Sequence, residues 1–292
     1  MSPSFSYAEA FSRNLGWVSV DEQEMLRQKT IAIAGLGGVG GAHLLTLTRL
    51  GVGRFRIADF DRFGLVNFNR QAGALMSTLD EPKAQVLARM ARDINPDVEI
   101  QIFDRGVEAS NLDRFLVGAD VYVDGLDFFA FDARAATFAA CARLQIPAIT
   151  AAPLGMGTAV LTFLPDGMSF EEYFQWGTAS EDDKALRFMI GLAPRLLQDY
   201  LVDSTYLDLA ARRGPSTVMG CQLCAGVAAT EVLKILLHRG VLRVAPHGMQ
   251  FDPYRNKFVK TWRPWGNRNP IQRLMLAIAR HRLVKMRKGH LT

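Results

Sequence analysis

One stretch decides the fold: Thr30-Ile-Ala-Ile-Ala34 followed by Gly35-Leu-Gly37-Gly38-Val-Gly40. The first five residues are β-branched or apolar, which suits a buried strand. The glycines make a turn, and Val39–Leu50 then carries Leu44, Leu47 and Leu50 at helical spacing. A glycine turn between a strand and a helix puts backbone N–H groups and a positive helix end where phosphates can sit. A Cβ there would hold the phosphate away. Arg54–Ala58 reads as the next strand. Asp59 ends it, about 20 residues beyond the turn, placed to accept hydrogen bonds from ribose hydroxyls. Alone, these features predict a nucleotide and leave NAD, FAD and ATP open. A tight turn without a ligand is the plain alternative.

Outward from that stretch, strands and helices alternate. Val98–Phe103, Asp120–Val123 and Ala148–Ala151 have strand character, and Pro82–Ile94 and Phe129–Leu144 helical character. Pro82 suits a first helical turn. Ser110-x-x-Asp113 resembles a capping box, with Asp for Glu. About 150 residues of such alternation predict an α/β fold with a doubly wound, mostly parallel sheet. A C-terminal mixed α+β part continues it, with a strand at Thr158–Leu164, a helix at Ser216–Leu237 and short strands at Val241–Ala245 and Lys257–Trp262. The expected division is a helical arm at 1–28, a nucleotide-binding core at 29–164, an aromatic-rich crossover insertion at 165–215, a C-terminal part of the fold at 216–266 and a basic helical tail at 267–292.

The bulk numbers narrow the class. The chain has 292 residues, 49% hydrophobic and 22% charged, ordinary values for a globular protein. Apolar runs are broken by Gly or charge well short of about 18 residues, so no membrane span is expected. The start lacks a basic-then-apolar pattern, and three cysteines are too few for a disulfide framework. A reducing cytoplasm is the expectation. The net charge of +5 hides an asymmetry: after Asp252 there are eleven Lys and Arg residues and no acidic one. The remainder is slightly acidic, with 23 basic against 29 acidic residues.

Further positions narrow the nucleotide. After the strand end at Asp59-Phe-Asp61 come Asn67-Phe-Asn69-Arg70-Gln71, then Glu81-Pro82-Lys83, then Ile94-Asn95-Pro96. With the GxGGxG turn, these five segments resemble, in order and spacing, the ThiF/MoeB/ubiquitin-activating superfamily. The resemblance covers residues 10–165 strongly and 216–262 weakly. It implies a Rossmann-like core that adenylates a carboxylate with ATP and Mg²⁺. That chemistry needs no general base, because the nucleophile is already ionised; it needs positive charge around the phosphates and alignment.

By resemblance, Gly35, Gly37, Gly38, Gly40, Asp59, Asp61, Asn67, Asn69 and Lys83 bind the nucleotide, and Arg70 and Lys83 line the triphosphate. Asp127, in Asp124-Gly-Leu-Asp127, is the implied Mg²⁺ ligand; an ordinary strand-end Asp capping the next helix is the alternative. The family often has Asn after this Asp, where this chain has Phe128. Arg13, in an imperfect match to a family segment, is expected to reach a neighbour's triphosphate across a homodimer, or else to be a surface arginine. Zinc is not expected: relatives use two CxxC pairs, whereas this chain has only Cys221-Gln-Leu-Cys224, with Cys141 on another predicted helix. Buried core thiols are the simpler reading. A thioester step would need Cys221 or Cys224, near a helix start where thiolate is favoured.

The resemblance implies a ubiquitin-like or sulfur-carrier protein, or a peptide, as partner, with Gly155-Met-Gly157-Thr158 and the insertion forming a channel for its C-terminal tail. The Asn67-Phe-Asn69-Arg-Gln form also resembles threonylcarbamoyladenosine dehydratases, for which tRNA would be the partner, and the basic tail would suit tRNA. A catalytically weak nucleotide-binding scaffold is the reading from another class. An NAD oxidoreductase would leave Arg70, Lys83 and Asp127 unexplained.

Overall fold

The computed structural model describes residues 5–208 and 211–289. The first four residues of the predicted arm, 209–210 in the insertion and 290–292 of the tail lie outside them. The chain runs through α1 (Tyr7–Ala10), α2 (Val20–Arg27), β1 (Thr30–Ala34), α3 (Gly38–Arg49), β2 (Arg54–Ala58), α4 (Lys83–Ile94), β3 (Glu99–Phe103), α5 (Leu112–Leu116), β4 (Val121–Asp124) and α6 (Phe131–Arg143). It continues through β5 (Ala148–Leu154), β6 (Gly157–Phe163), α7 (Phe170–Phe174), α8 (Glu181–Leu192), α9 (Val218–Leu236), β7 (His247–Asp252), β8 (Lys257–Trp262) and α10 (Pro270–Gly289).

The eight strands form one sheet in the order β3-β2-β1-β4-β5-β6-β7-β8. The first five are parallel and the last three join antiparallel. The order reverses direction between β1 and β4, and in open α/β sheets ligands lie beyond the carboxyl ends at such a switch. Strand alternation splits the core. Ile31, Ile33, Phe55, Ile57, Val121, Val123 and Ile149 face a layer of α3, α4 and α9. Ala32, Ala34, Ala58, Tyr122 and Ala148 face the other layer, with Phe115, Phe138, Phe174 and Phe188. The insertion is thus folded, and α7 and α8 form part of that second core.

Among the described residues, α9 is the one helix long and apolar enough to cross a membrane by length and composition, which apolar-run length alone did not predict. Here Cys224, Ala228, Ala229 and Val232 are buried in the first core. The expected strand at Val241–Ala245 is irregular; Ala245 donates one hydrogen bond to the Thr162 carbonyl. Pro246 has no N–H to extend the ladder, so pairing begins at His247. The capping role expected of Ser110 is not seen. Asn111 sits at the helix cap instead, closing its turn by accepting from the Glu108 N–H and donating to the Gly106 carbonyl.

The helical arm is fixed to the far end of α3. The Tyr7 hydroxyl donates to the Gly51 carbonyl at 2.6 Å, and Asn14 and Gln23 amides donate to the Leu50 carbonyl. Ser19 and Glu22 form a reciprocal capping box at the start of α2.

His43 on α3 is buried, and neither ring nitrogen has a partner among the described residues. Burial pushes its pKa down from 6.5 to about 4. The unfolded chain takes up this proton below 6.5, whereas the folded one holds it off until near 4. The associated stability is fully present above pH 6.5 and is lost as pH falls toward 4, on the order of 3 kcal/mol. Melting curves at about pH 7.5 and about pH 4.5 should show wild type losing roughly 6 °C more than His43→Leu. Equal losses would remove His43 as the cause.

Candidate active site

The site begins with three glycines that cannot be anything else. Gly35 has a φ of +80°, and a Cβ on it would lie 2.2 Å from the Gly125 carbonyl oxygen. A Cβ on Gly40 would lie 1.7 Å from the Gly35 oxygen, and one on Gly125 would lie 2.8 Å from the Gly40 Cα. The ends of β1 and β4 and the start of α3 therefore meet backbone to backbone. Gly37 differs: a Cβ there would meet only the Gln71 amide, at 3.8 Å. The fold does not need glycine at 37, whereas close approach of a phosphate does.

Gly38 is the floor of the turn. A Cβ on it would come 2.8 Å from Cys221 Sγ and 3.4 Å from Arg70 Cγ. The aliphatic stem of Arg70 thus lies along the turn. Its guanidinium donates to Asn69 Oδ1 at 2.8 Å and to the Val66 carbonyl at 3.0 Å. Asn69 in turn donates to the Ser216 carbonyl at 3.0 Å, joining this loop to the end of the insertion. Asn67 is buried, and its Oδ1 accepts from the Gly64 N–H.

Asp59 grips the turn from the β2 side. Its carboxylate accepts from the Leu36 N–H at 2.6 Å and the Asp61 N–H at 2.8 Å. Burial raises its pKa, offset by these two hydrogen bonds. Each carboxylate oxygen has a second lone pair, so acceptor capacity for a ribose hydroxyl remains. Lys83, at the first position of α4, is buried with its ammonium 3.0 Å from the more exposed Asp61 carboxylate. The turn, Asp59, Asp61 and Lys83 thus form a continuous chain of contacts.

Asp127 is exposed just beyond β4. One oxygen accepts from the Phe129 N–H at 3.0 Å; the expected helix begins only at Phe131, so the carboxylate closes a turn rather than capping the helix. The backbone around it is held by Arg134, which sequence reasoning missed. This fully buried guanidinium donates to the Leu126, Asp127 and Phe128 carbonyls and pairs with Asp124 at 2.7 Å. Phe128, where the family often has Asn, leaves the site and packs against Phe129, Phe131 and Phe188. The signal for Arg134 was faint, since an arginine mid-helix reads as surface.

Arg13 is not brought to the others. It is exposed and makes no hydrogen bond or ion pair among the described residues. Its neighbour Asn14 binds the Leu50 carbonyl at the far end of α3 from the glycine turn. A 12-residue helix separates those ends by about 18 Å.

All three cysteines are free and buried. Burial pushes the Cys221 and Cys224 thiols up, and for Cys221 this outweighs the Ser216 hydroxyl and the Arg70 charge that favour thiolate. No group of three or more His, Cys, Asp or Glu residues is placed to hold a metal among the described residues. The hairpin turn at Gly155-Met156 abuts the insertion: the Tyr200 hydroxyl accepts from the Met156 N–H at 2.7 Å and donates to Asp252, and Thr217 donates to the Gly155 carbonyl.

The glycines separate by substitution. Gly37→Ala should melt within about 2 °C of wild type yet bind nucleotide at least about tenfold more weakly. Gly40→Ala should lose roughly 4 kcal/mol or more, or fail to fold. Thermal melts and calorimetric titration of the soluble variants check both, and a Gly37→Ala protein with undiminished affinity would contradict the assignment.

The ThiF family model matches residues 11–273. Over 148 residues the chain is 32% identical to the sulfur carrier protein ThiS adenylyltransferase of Escherichia coli K12, covering 51% of this chain and 58% of that protein. Over 141 residues it is 32% identical to the tRNA threonylcarbamoyladenosine dehydratase of Bacillus subtilis 168, covering 48% of this chain and 55% of the relative. The chain thus spans little more than half the length of these curated relatives. The crystal structure of E. coli MccB with ATP matches with a TM-score of 0.66 at 17% identity, over 87% of this chain and 71% of that chain. At that identity the likeness shows the fold. With the family model extending over most of its length, the chain belongs to the ThiF family.

Proposed function

We propose that this protein is an ATP-dependent adenylyltransferase that activates a carboxylate as an acyl-adenylate. The observation that carries this reading is the conjunction at the glycine turn: open space above Gly37, the Arg70 stem along Gly38, and Lys83 linked through Asp61 and Asp59 to the same turn. A carboxylate oxygen attacks the α-phosphorus, a new acyl–phosphate bond forms, and the bond to the leaving pyrophosphate breaks. Arg70 and Lys83 balance the charge that builds on the phosphates, a role preorganised donors fill without reorganisation. Asp59 orients the ribose, and the glycine N–H groups with the α3 dipole hold phosphate oxygens. Asn69 holds the Arg70 guanidinium, and Asn67 fixes the loop that carries both.

Asp127 fits a Mg²⁺ site of the substrate-bridging kind. Mg²⁺ is commonly held by one or two carboxylates plus nucleotide phosphates and water, and Asp127 presents an exposed carboxylate on an anchored turn. Bound there, the ion would supply positive charge to the leaving pyrophosphate. Arg13 stands too far along α3 to serve its own site, so a role in catalysis requires a homodimer in which it reaches the partner's nucleotide. Three free thiols suit a reducing cytoplasm.

The acyl donor we infer is the C-terminus of a ubiquitin-like or sulfur-carrier protein, or a peptide. The E. coli relative named for ThiS supports it, as does the hairpin turn at Gly155-Met156 held against the insertion. A tRNA-borne carboxylate is the second reading, supported by the B. subtilis relative at equal identity. ATP–pyrophosphate exchange separates them. Exchange should appear with a carrier ending in Gly-Gly or a peptide and not with tRNA alone; exchange with tRNA alone would reverse the choice, and none with any carboxylate would leave only a nucleotide-binding scaffold. Lys83→Ala and Arg70→Ala should each lower the exchange rate by about 10²–10³. An unchanged rate in Lys83→Ala would remove the triphosphate assignment.

A further inference from the structure

On the side of the molecule formed by α8 and α10, a groove of about 620 Å³ is lined by Arg187, Arg268, Arg273 and Arg280. It shares no lining residue with the glycine turn, Lys83 or Asp127. Asp183 serves two of the four guanidiniums: it accepts Arg187 Nε and Arg280 Nε at 2.6 Å each, and both its oxygens are used. Arg187 also donates to the Gln175 carbonyl, and Arg268 Nε donates to the Gln175 side chain at 2.8 Å. Arg273 is exposed and makes no side-chain hydrogen bond or ion pair among the described residues, nor do the terminal nitrogens of Arg280. The nearby acids are occupied: Glu171 accepts from the Gly177 N–H and Glu172 from the Ser169 N–H.

We infer that this groove binds the phosphodiester backbone of a nucleic acid. Arg268 and Arg280 are tied by Nε, which leaves their terminal nitrogens, with the whole Arg273 guanidinium, as forked donors suited to phosphate oxygens. The four lining cations are all arginine. Arg273 and Arg280 stand seven residues apart on α10, about 10.5 Å along its axis, so the charge runs as a stripe. The α10 sequence holds no Asp or Glu over its 20 residues, and none follows Asp252. A stripe of one sign matches a uniform phosphate chain, and the forked guanidiniums match its paired oxygens. Trp265 is 64% exposed two residues before the lining begins, which adds a stacking face for a base. The inference does not rest on the adenylation reading.

The test is fluorescence anisotropy without ATP, using labelled single-stranded RNA and DNA of about 16 nucleotides. The full chain should bind, more weakly as salt rises from about 50 to about 200 mM. Arg268→Glu/Arg273→Glu should bind at least about tenfold more weakly and reduce the log–log salt slope by about 1–2. That variant breaks only the Arg268–Gln175 bond, and a melting curve like wild type's shows that it is folded. Arg92→Glu, exposed on α4 and outside the groove, should bind like wild type. The proposal is overturned by no binding at the lower salt, by equal losses in both variants, or by displacement with poly-glutamate as effective as with unlabelled RNA. Because no step involves ATP or pyrophosphate, its outcome is separate from that of the exchange assay.

Discussion

The structure depends on a contact in which no side chain takes part. At the ends of β1 and β4, Gly35, Gly40 and Gly125 pack main chain against main chain, with virtual Cβ separations far inside van der Waals distance. This contact sets where α3 starts relative to the sheet, and thereby where its first free N–H groups point. Everything polar in the site is arranged around it. Asp59 reaches the Leu36 N–H from one strand, and Asp124 anchors Arg134 from another. The switch point of the sheet would be only a topological crevice without this approach; with it, the crevice has a cradle of fixed depth.

The buried Arg134–Asp124 pair plays a complementary part. Removing two charges from water is costly and is offset only when geometry and extra hydrogen bonds are good. Here the guanidinium also satisfies three successive carbonyls, so the segment ending β4 is held by one side chain. The same residue lies 4.7 Å from the Phe188 ring of α8. The insertion is therefore bonded into the core beside Asp127 rather than draped over it.

Much of this was legible in the sequence. Seven of the eight strands and the glycine turn carry their own signals, among them β-branched runs, a glycine cluster and Asp59 at a strand end. The spacing of Asn67, Arg70 and Lys83 was informative because it reports a loop geometry, and Arg70 does lie along the turn. What was hidden had inverted or distant signals. In β7 the buried positions are Gly248, Gln250 and Asp252, so the alternation reads backwards; these polar groups are satisfied by the Arg195 N–H, the Tyr200 hydroxyl and the Arg255 N–H. Arg134 carries no local signal, because its partner lies ten positions earlier on a strand. Cys221 read as a buried core thiol, yet which surface it would meet was hidden: it lies against the glycine turn some 180 residues before it in sequence, a proximity no local pattern encodes.

That last proximity bears on how such a chain can be assembled or divided. Cys221 on α9 meets the underside of the turn at Gly38, Ser216 receives Asn69, and α9 shares one core with α3 and α4. The floor of the cradle is thus a composite of two stretches separated by the whole insertion. A break between them in evolution or in protein engineering would not yield a nucleotide-binding half and a spare half. Recombination that swaps the insertion can leave the cradle whole, because its ends are the pieces already joined there. The exposed parts of the insertion can diversify, its core-facing aromatics are held by the second core, and its two flanks must be inherited together.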